Sequence, residues 1–237
     1  MTFRSRLIRR AAVAERTLAF QFTRPDGFRF VAGQYLDITV INARERDGEG
    51  PTRSFSIASG PAEPELLVVM RMRDTAFKRT LAALGPGAEV IIEGPAGDFV
   101  LDNRQPRVFI AGGVGIAPYL SMLREAAVGR SIGNTTLFYS NRRPEDTVFL
   151  PELEAMAKSM HGFRCITTMT RMAESTHAWP GETAHVDPAM LARYLPSVAG
   201  PRYYICGLPE LIAGVRYELE RAGVADRDIM IEMFGGY

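Results

Sequence analysis

Three glycines crowd the run Ala111-Gly112-Gly113-Val114-Gly115-Ile116-Ala117-Pro118. The apolar stretch Val108–Ala111 before it reads as a strand and Ile116–Ala127 after it as a helix. Glycine allows a tight turn and close backbone approach, and a helix N-terminus offers unpaired N–H groups with a positive dipole end. That combination can bind a pyrophosphate. The order of glycines is not the common GxGxxG of dinucleotide folds, and a glycine-rich strand-to-helix turn also arises for purely structural reasons.

Three further groups carry possible chemistry. In Arg53-Ser54-Phe55-Ser56, an arginine fork suits a diphosphate and an aromatic ring can lie beside a flat heterocycle. Strand alternation places Arg53 and Phe55 on one face and the serines on the other, unless a strand end re-aims them. The same residues also fit a half-buried edge strand. In Tyr203-Tyr204-Ile205-Cys206-Gly207, a strand delivers Cys206 to its carboxyl end with a glycine opening space behind it, although a lone cysteine there is often a small core filler. The last residues, Glu232-Met233-Phe234-Gly235-Gly236-Tyr237, put a carboxylate and an aromatic after a final strand, where a chain end can equally well fray.

The elements that must position these groups fall into two halves. From Thr2 to about Asp102 the chain alternates short apolar-polar runs with turns at Pro25-Asp26-Gly27, Gly60-Pro61 and Gly85-Pro86-Gly87. Strands are expected at Leu18–Thr23, Tyr35–Ile41, Arg53–Ile57, Glu65–Met72 and Ala88–Ile92. Phe77, Leu81 and Leu84 recur at helical spacing, which predicts a short helix plugging the end of a barrel. The charged stretch Ala43–Gly50 reads as a solvated loop. From Arg107 onward the rhythm becomes strand, loop, helix, as a parallel sheet covered by helices requires. Strands are expected at Val108–Ala111, Thr135–Ser140, Phe163–Thr170, Arg202–Cys206 and Asp228–Phe234, with helices at Glu152–Met160, from Asp187-Pro188, and at Pro209–Ala222. The expected fold is therefore β + α/β: an antiparallel six-stranded barrel over residues 1–103, then a parallel-sheet nucleotide-binding domain over 104–237.

Composition excludes several classes. The chain has 237 residues, 46% hydrophobic and 23% charged, enough for a sizeable core. Lys plus Arg (28) nearly cancels Asp plus Glu (27), so no global field favours nucleic acid or an anionic membrane. The two cysteines cannot ligate an iron-sulfur cluster by themselves and suit a reducing compartment. His161, His177 and His185 show no metal-ligand spacing, so no metal is expected. Without a membrane-length apolar run or a signal-peptide pattern, the expected location is cytoplasmic.

In order and spacing, the motifs resemble the ferredoxin–NADP reductase superfamily, which joins a flavin-binding barrel to a nicotinamide-nucleotide domain. The resemblance spans nearly the whole chain: an RxYS-type segment at Arg53–Ser56, a GPxGxF-type segment at Gly94–Phe99, the glycine loop, the Cys206-Gly207 element and the aromatic tail. It implies that Arg53 pairs with the flavin diphosphate, Phe55 lies against the isoalloxazine and Ser54 and Ser56 belong to the same segment, with Ser56 near the reactive N5. Relatives often carry tyrosine at Phe55. A second flavin segment would run through Met70, Arg71 and Met72 into Ala76, Phe77 and Lys78, where many relatives have a glycine-serine pair; FAD is therefore favoured over FMN with less support than flavin itself. Gly112, Gly113, Val114, Gly115 and Pro118 would hold the nucleotide. Cys206 and Gly207 would flank the nicotinamide, Glu232 would lie near Ser56, and Tyr237 could stack on the flavin and move aside for nicotinamide.

The implied chemistry is hydride transfer from NADH or NADPH to bound FAD and single-electron release to a separate carrier, most simply ferredoxin or flavodoxin. Ser56, Cys206 and Glu232 would shape the reaction space. Nucleotide choice would be read at Asn141, Arg142 and Arg143. Two arginines could clamp a 2′-phosphate, whereas Glu145 and Asp146 would repel it, and the segment also resembles that of NADH-using cytochrome b5 reductases. The arginines leave the strand directly, which tips the balance toward NADPH. Arg4, Arg6, Arg9 and Arg10 could dock an acidic carrier or guard an exposed strand edge. The alternative is a flavin-carrying electron-transfer or regulatory subunit without its own NAD(P)H turnover.

Overall fold

The computed structural model describes residues 1–41 and 48–233. The expected loop at Ala43–Gly50 therefore lies mostly outside the described residues, and Tyr237 lies wholly outside them. Contacts divide the chain into two units: Met1–Leu101 with Ala117–Glu125, and Asp102–Ile116 with the chain from Ala126 onward.

The first unit is the antiparallel barrel. Its strands are β1 (Thr2–Ala14), β2 (Thr17–Thr23), β3 (Tyr35–Val40), β4 (Thr52–Ser56), β5 (Glu65–Arg71) and β6 (Glu89–Ala96), in the order β4-β3-β6-β1-β2-β5. Alternation builds its core. Along β3, Leu36, Ile38 and Val40 are buried and the residues between them are half-buried, as period-two side chains on a pleated strand demand. Phe20, Phe22, Phe55, Val68, Met70 and Ile92 complete the interior. Strand β1 changes partners along its length, pairing with β6 through Thr2–Arg6 and with β2 from Leu7.

This overturns the edge reading of the N-terminal arginines. β1 lies between β6 and β2; Arg4 and Arg6 pair with Glu89 on β6 at 3.0 Å each, whereas Arg9 donates to the neutral Gln21 and Arg10 to the Leu84 carbonyl. The plug helix α1 (Ala76–Ala83) begins at Thr75, whose hydroxyl accepts from the Lys78 amide and satisfies one orphan donor. Phe77 and Leu81 then enter the barrel core.

The second unit carries a parallel sheet of β7 (Arg107–Gly112), β8 (Ser131–Asn141), β9 (His161–Met169), β10 (Arg202–Gly207) and β11 (Ile229–Met233), in the order β11-β10-β7-β8-β9. Central strands read as continuous apolar runs because they are covered on both faces; Val108, Phe109, Ile110 and Ala111 are all buried. Helices α2 (Ala117–Val128), α3 (Leu150–Ser159), α4 (Pro188–Tyr194) and α5 (Pro209–Arg221) connect the strands. Most of α2 groups by its contacts with the barrel: Ser121 donates to the Ser59 carbonyl at 2.7 Å, and Tyr119 meets Phe99 edge-on at 5.7 Å.

Candidate functional site

In the barrel unit, the expected flavin residues gather where β4 and β5 meet the start of α1. Arg53 donates to the carbonyl oxygens of Glu49, Gly50 and Thr52 and pairs with the Glu49 carboxylate at 2.5 Å; its guanidinium carbon lies 5.3 Å from the centre of the Phe77 ring. Phe55 stacks on Phe77 with centroids 6.0 Å apart. The strand end does re-aim the segment: Ser54 is exposed and bonds Asp37, whereas Phe55 and Ser56 are both buried. Met70 is a core residue, and Met72 packs partly against the core. Arg71 donates to the Glu15 carbonyl at 2.9 Å.

Lys78 is the distinctive member. Its side chain is buried, and its ammonium donates to the Arg71 carbonyl at 2.8 Å. Burial, then the nearby charges of Arg73 and Arg53, lower its pKa to about 8. A half-charged buried ammonium with two arginines nearby gains from an anion placed beside it, which supplies the counter-charge that burial denies it. The residues therefore fit a flavin diphosphate, with the α1 amides as further donors.

In the second unit, β7 ends at Gly112, the chain turns through a short 3-10 segment at Gly113–Ile116, and α2 starts with Pro118 in its first turn. Gly113 has φ +54°, and a Cβ there would meet open space. At Gly115 a Cβ would stand 2.5 Å from the Cys206 carbonyl oxygen, so only glycine lets the loop lie against the end of β10. The structure thus brings the glycine loop and the Cys206-Gly207 element together at the carboxyl ends of adjacent parallel strands, where open α/β sheets take ligands.

Cys206 and Glu232 are register partners on β10 and β11, and the Cys206 sulfur lies 3.7 Å from Glu232 Oε2. Burial first, and then the Glu232 charge, push the thiol well above its ordinary pKa. Cys206 is a neutral thiol here, suited to shaping space rather than to nucleophilic attack. Sequence reasoning missed Tyr139. Its hydroxyl lies 3.1 Å from the Gly113 carbonyl and 3.4 Å from the Val148 carbonyl, and it accepts from the Val148 amide at 3.2 Å. It buttresses the glycine loop from beneath, and a tyrosine inside an apolar strand pattern was its only signal.

Beyond β8, Asn141 is 5% exposed, and neither of its amide atoms makes a well-formed hydrogen bond within the chain. Burial raises the Tyr139 phenol, partly offset by the Val148 backbone hydrogen bond and then by a weaker interaction with the Asn141 side chain. A buried carboxamide with hydrogen-bonding capacity left over at a ligand-binding sheet edge fits a nucleotide partner. Arg142 is exposed, while Arg143 is engaged with Asp146. Among the described residues no cluster of His, Cys, Asp and Glu could hold a metal ion, and no helix is long and apolar enough to cross a membrane.

Comparison with known proteins agrees with this layout. The oxidoreductase NAD-binding domain family matches residues 109–217. Ferredoxin–NADP reductase B of Sorangium cellulosum is 31% identical over 245 aligned positions, covering 98% of this chain and 97% of that protein. The glycine betaine monooxygenase reductase subunit of Chromohalobacter salexigens is 30% identical over 93% of this chain, which spans only 60% of that relative. Among solved structures, the Amycolatopsis cytochrome P450 reductase GcoB superposes with a TM-score of 0.82 at 25% identity, over 99% of this chain and 70% of its own. A ferredoxin NADP+ reductase from Neisseria gonorrhoeae with bound FAD and NADP shares the fold, with a TM-score of 0.80 at 23% identity and 98% coverage of both chains.

Proposed function

Because the chain belongs to the ferredoxin–NADP reductase superfamily, we propose that it is an FAD-dependent NAD(P)H oxidoreductase that passes electrons to a separate carrier, a ferredoxin or a flavodoxin. On this reading residues 1–103 bind FAD and residues 104–237 bind the nicotinamide nucleotide. Bound FAD would supply the chemistry that links two-electron hydride uptake to one-electron release. The chain itself binds and orients. Arg53, Arg71, Lys78 and the α1 amides neutralise the flavin diphosphate, while Ser54, Phe55, Ser56, Met70, Met72, Ala76 and Phe77 line the flavin segment. Gly112–Gly115 and Pro118 cradle the nucleotide pyrophosphate, and Asn141–Arg143 meet the adenosine end. Cys206 with Gly207 and Glu232 shape the space for the nicotinamide within the second unit.

The observation that carries this reading is the seating of Gly115 on Cys206-Gly207 with open space left at Gly113. The carrier is tested by supplying ferredoxin and flavodoxin separately to the NAD(P)H-reduced protein. Reduction of either supports the assignment. Turnover with an artificial dye but with neither protein refutes it. The cytoplasm is the location consistent with such carriers.

A further inference from the structure

We propose that the Arg143–Asp146 pair makes NADH the preferred hydride donor, with Asp146 as the positioning residue that sets the preference. This rests on the nucleotide-binding reading above. In open parallel sheets the adenosine ribose is read just beyond the second strand, where a carboxylate accepts from the 2′-hydroxyl or an arginine accommodates a 2′-phosphate. The second strand of this sheet is β8, and Asn141-Arg142-Arg143-Pro144-Glu145-Asp146 follows its end. Two arginines and two carboxylates cancel as a sum. The structure separates their roles.

Arg143 donates from Nε to Asp146 Oδ2 at 3.0 Å and from Nη2 to Asp146 Oδ1 at 3.3 Å, and its Nη1 reaches the Glu174 carbonyl at 3.4 Å. All three nitrogens are engaged. Asp146 is only 7% exposed, so a 2′-phosphate that drew Arg143 away would leave a buried carboxylate without its counter-charge. Glu145 adds a fixed negative charge beside it. It accepts from Ser175 Oγ at 2.9 Å, from the Thr176 amide at 2.9 Å and from the Thr176 hydroxyl at 3.1 Å, and it pairs with His177 at 3.1 Å. Hydrogen bonding, led by its own backbone amide and opposed by burial, holds it below the usual carboxylate range, so it remains charged wherever the enzyme works. Arg171 pairs with Glu174 at 3.6 Å. Arg142 is the cation of this group with no ion pair among the described residues; it is exposed, so its attraction for a 2′-phosphate is screened by solvent and salt and is opposed by the fixed charge of Glu145. NADH, with a neutral 2′-hydroxyl, meets none of these penalties.

The test is anaerobic flavin reduction by each nucleotide in the wild-type protein and in Asp146→Asn. The wild type is expected to favour NADH in kcat/KM by about tenfold or more, and the variant to narrow that ratio about tenfold. The narrowing should come through a lower KM for NADPH with kcat nearly constant, a split that general loosening would not produce. A wild type that prefers NADPH, or neither, overturns the proposal. A folded variant with an unchanged ratio overturns the role of Asp146. Should the variant fail to fold, competition against NADH decides: 5′-AMP should inhibit the wild type more strongly than adenosine 2′,5′-bisphosphate, and the reverse order is a refutation. Flavin that neither nucleotide reduces would instead count against the proposed function.

Discussion

A β-carbon on Gly115 would stand 2.5 Å from the carbonyl oxygen of Cys206, closer than real atoms approach. The contact is backbone against backbone, so no side chain can rotate to relieve it. Gly115→Ala must therefore push the 3-10 turn away from β10. Overpacking of this kind costs roughly 1–3 kcal/mol. Denaturant unfolding should show that loss, and NAD(P)H affinity should fall while the flavin content stays unchanged. A variant with wild-type affinity and stability would show that the loop tolerates displacement.

Lys78 makes a pH prediction whose sign follows from its environment. Its folded pKa of about 8 lies below the ordinary 10.5, so the charged form is disfavoured in the fold. The protonated ammonium thus lowers stability below pH 8, and that cost is relieved as pH rises from 8 toward 10.5. A bound diphosphate reverses the preference by favouring the charged form. FAD affinity should hold steady below pH 8 and weaken above it, with proton uptake on binding in that range. Titration of apoprotein with FAD across this range checks it, and Lys78→Met should bind more weakly with a flatter profile. An equally steep profile in that variant would remove Lys78 from the explanation.

Tyr139→Phe tests the support beneath the glycine loop. The change removes the hydroxyl shared by Gly113 and Val148 and leaves the ring in place. Leaving a buried amide unpaired costs about 1–3 kcal/mol. The expected outcome is lower stability and a raised KM for the nucleotide. Unaltered values on both counts would show that the hydroxyl is dispensable.

Much of this was legible in the residues, for identifiable reasons. The glycine loop announced itself because a strand-to-helix turn needs glycine where Gly115 meets Cys206, and the plug helix because Phe77 and Leu81 share a face. Long-range partnership was not legible. Thr2–Ala14 is too charged and too irregular in burial for alternation to mark it as a strand, and nothing in it shows that β1 lies between β6 and β2, so its arginines read as a carrier dock or a guarded edge when Glu89 in fact neutralises two of them. The same limit applies to Arg143. Its spacing from Asp146 suggests a pair, but only the fold reveals that the carboxylate is buried. Phe55 and Ser56 are both buried because the strand ends there, which a strict period of two does not anticipate.

The cysteines give a chemical prediction. Burial raises the Cys165 thiol to about 11, and burial with the Glu232 charge keeps Cys206 protonated. Iodoacetamide at pH 8 should therefore label the native protein slowly at both positions and rapidly after unfolding. Fast native labelling of Cys206 would contradict the neutral-thiol assignment.

The central claim is that this chain holds a flavin that a reduced nicotinamide nucleotide can reach. Anaerobic stopped-flow mixing of the purified, flavin-loaded protein with NADH and NADPH tests it most directly. The account predicts loss of the yellow absorbance within the mixing experiment and its return when an electron acceptor is added. A protein that takes up no flavin, or one whose flavin stays oxidised with both nucleotides, would contradict it.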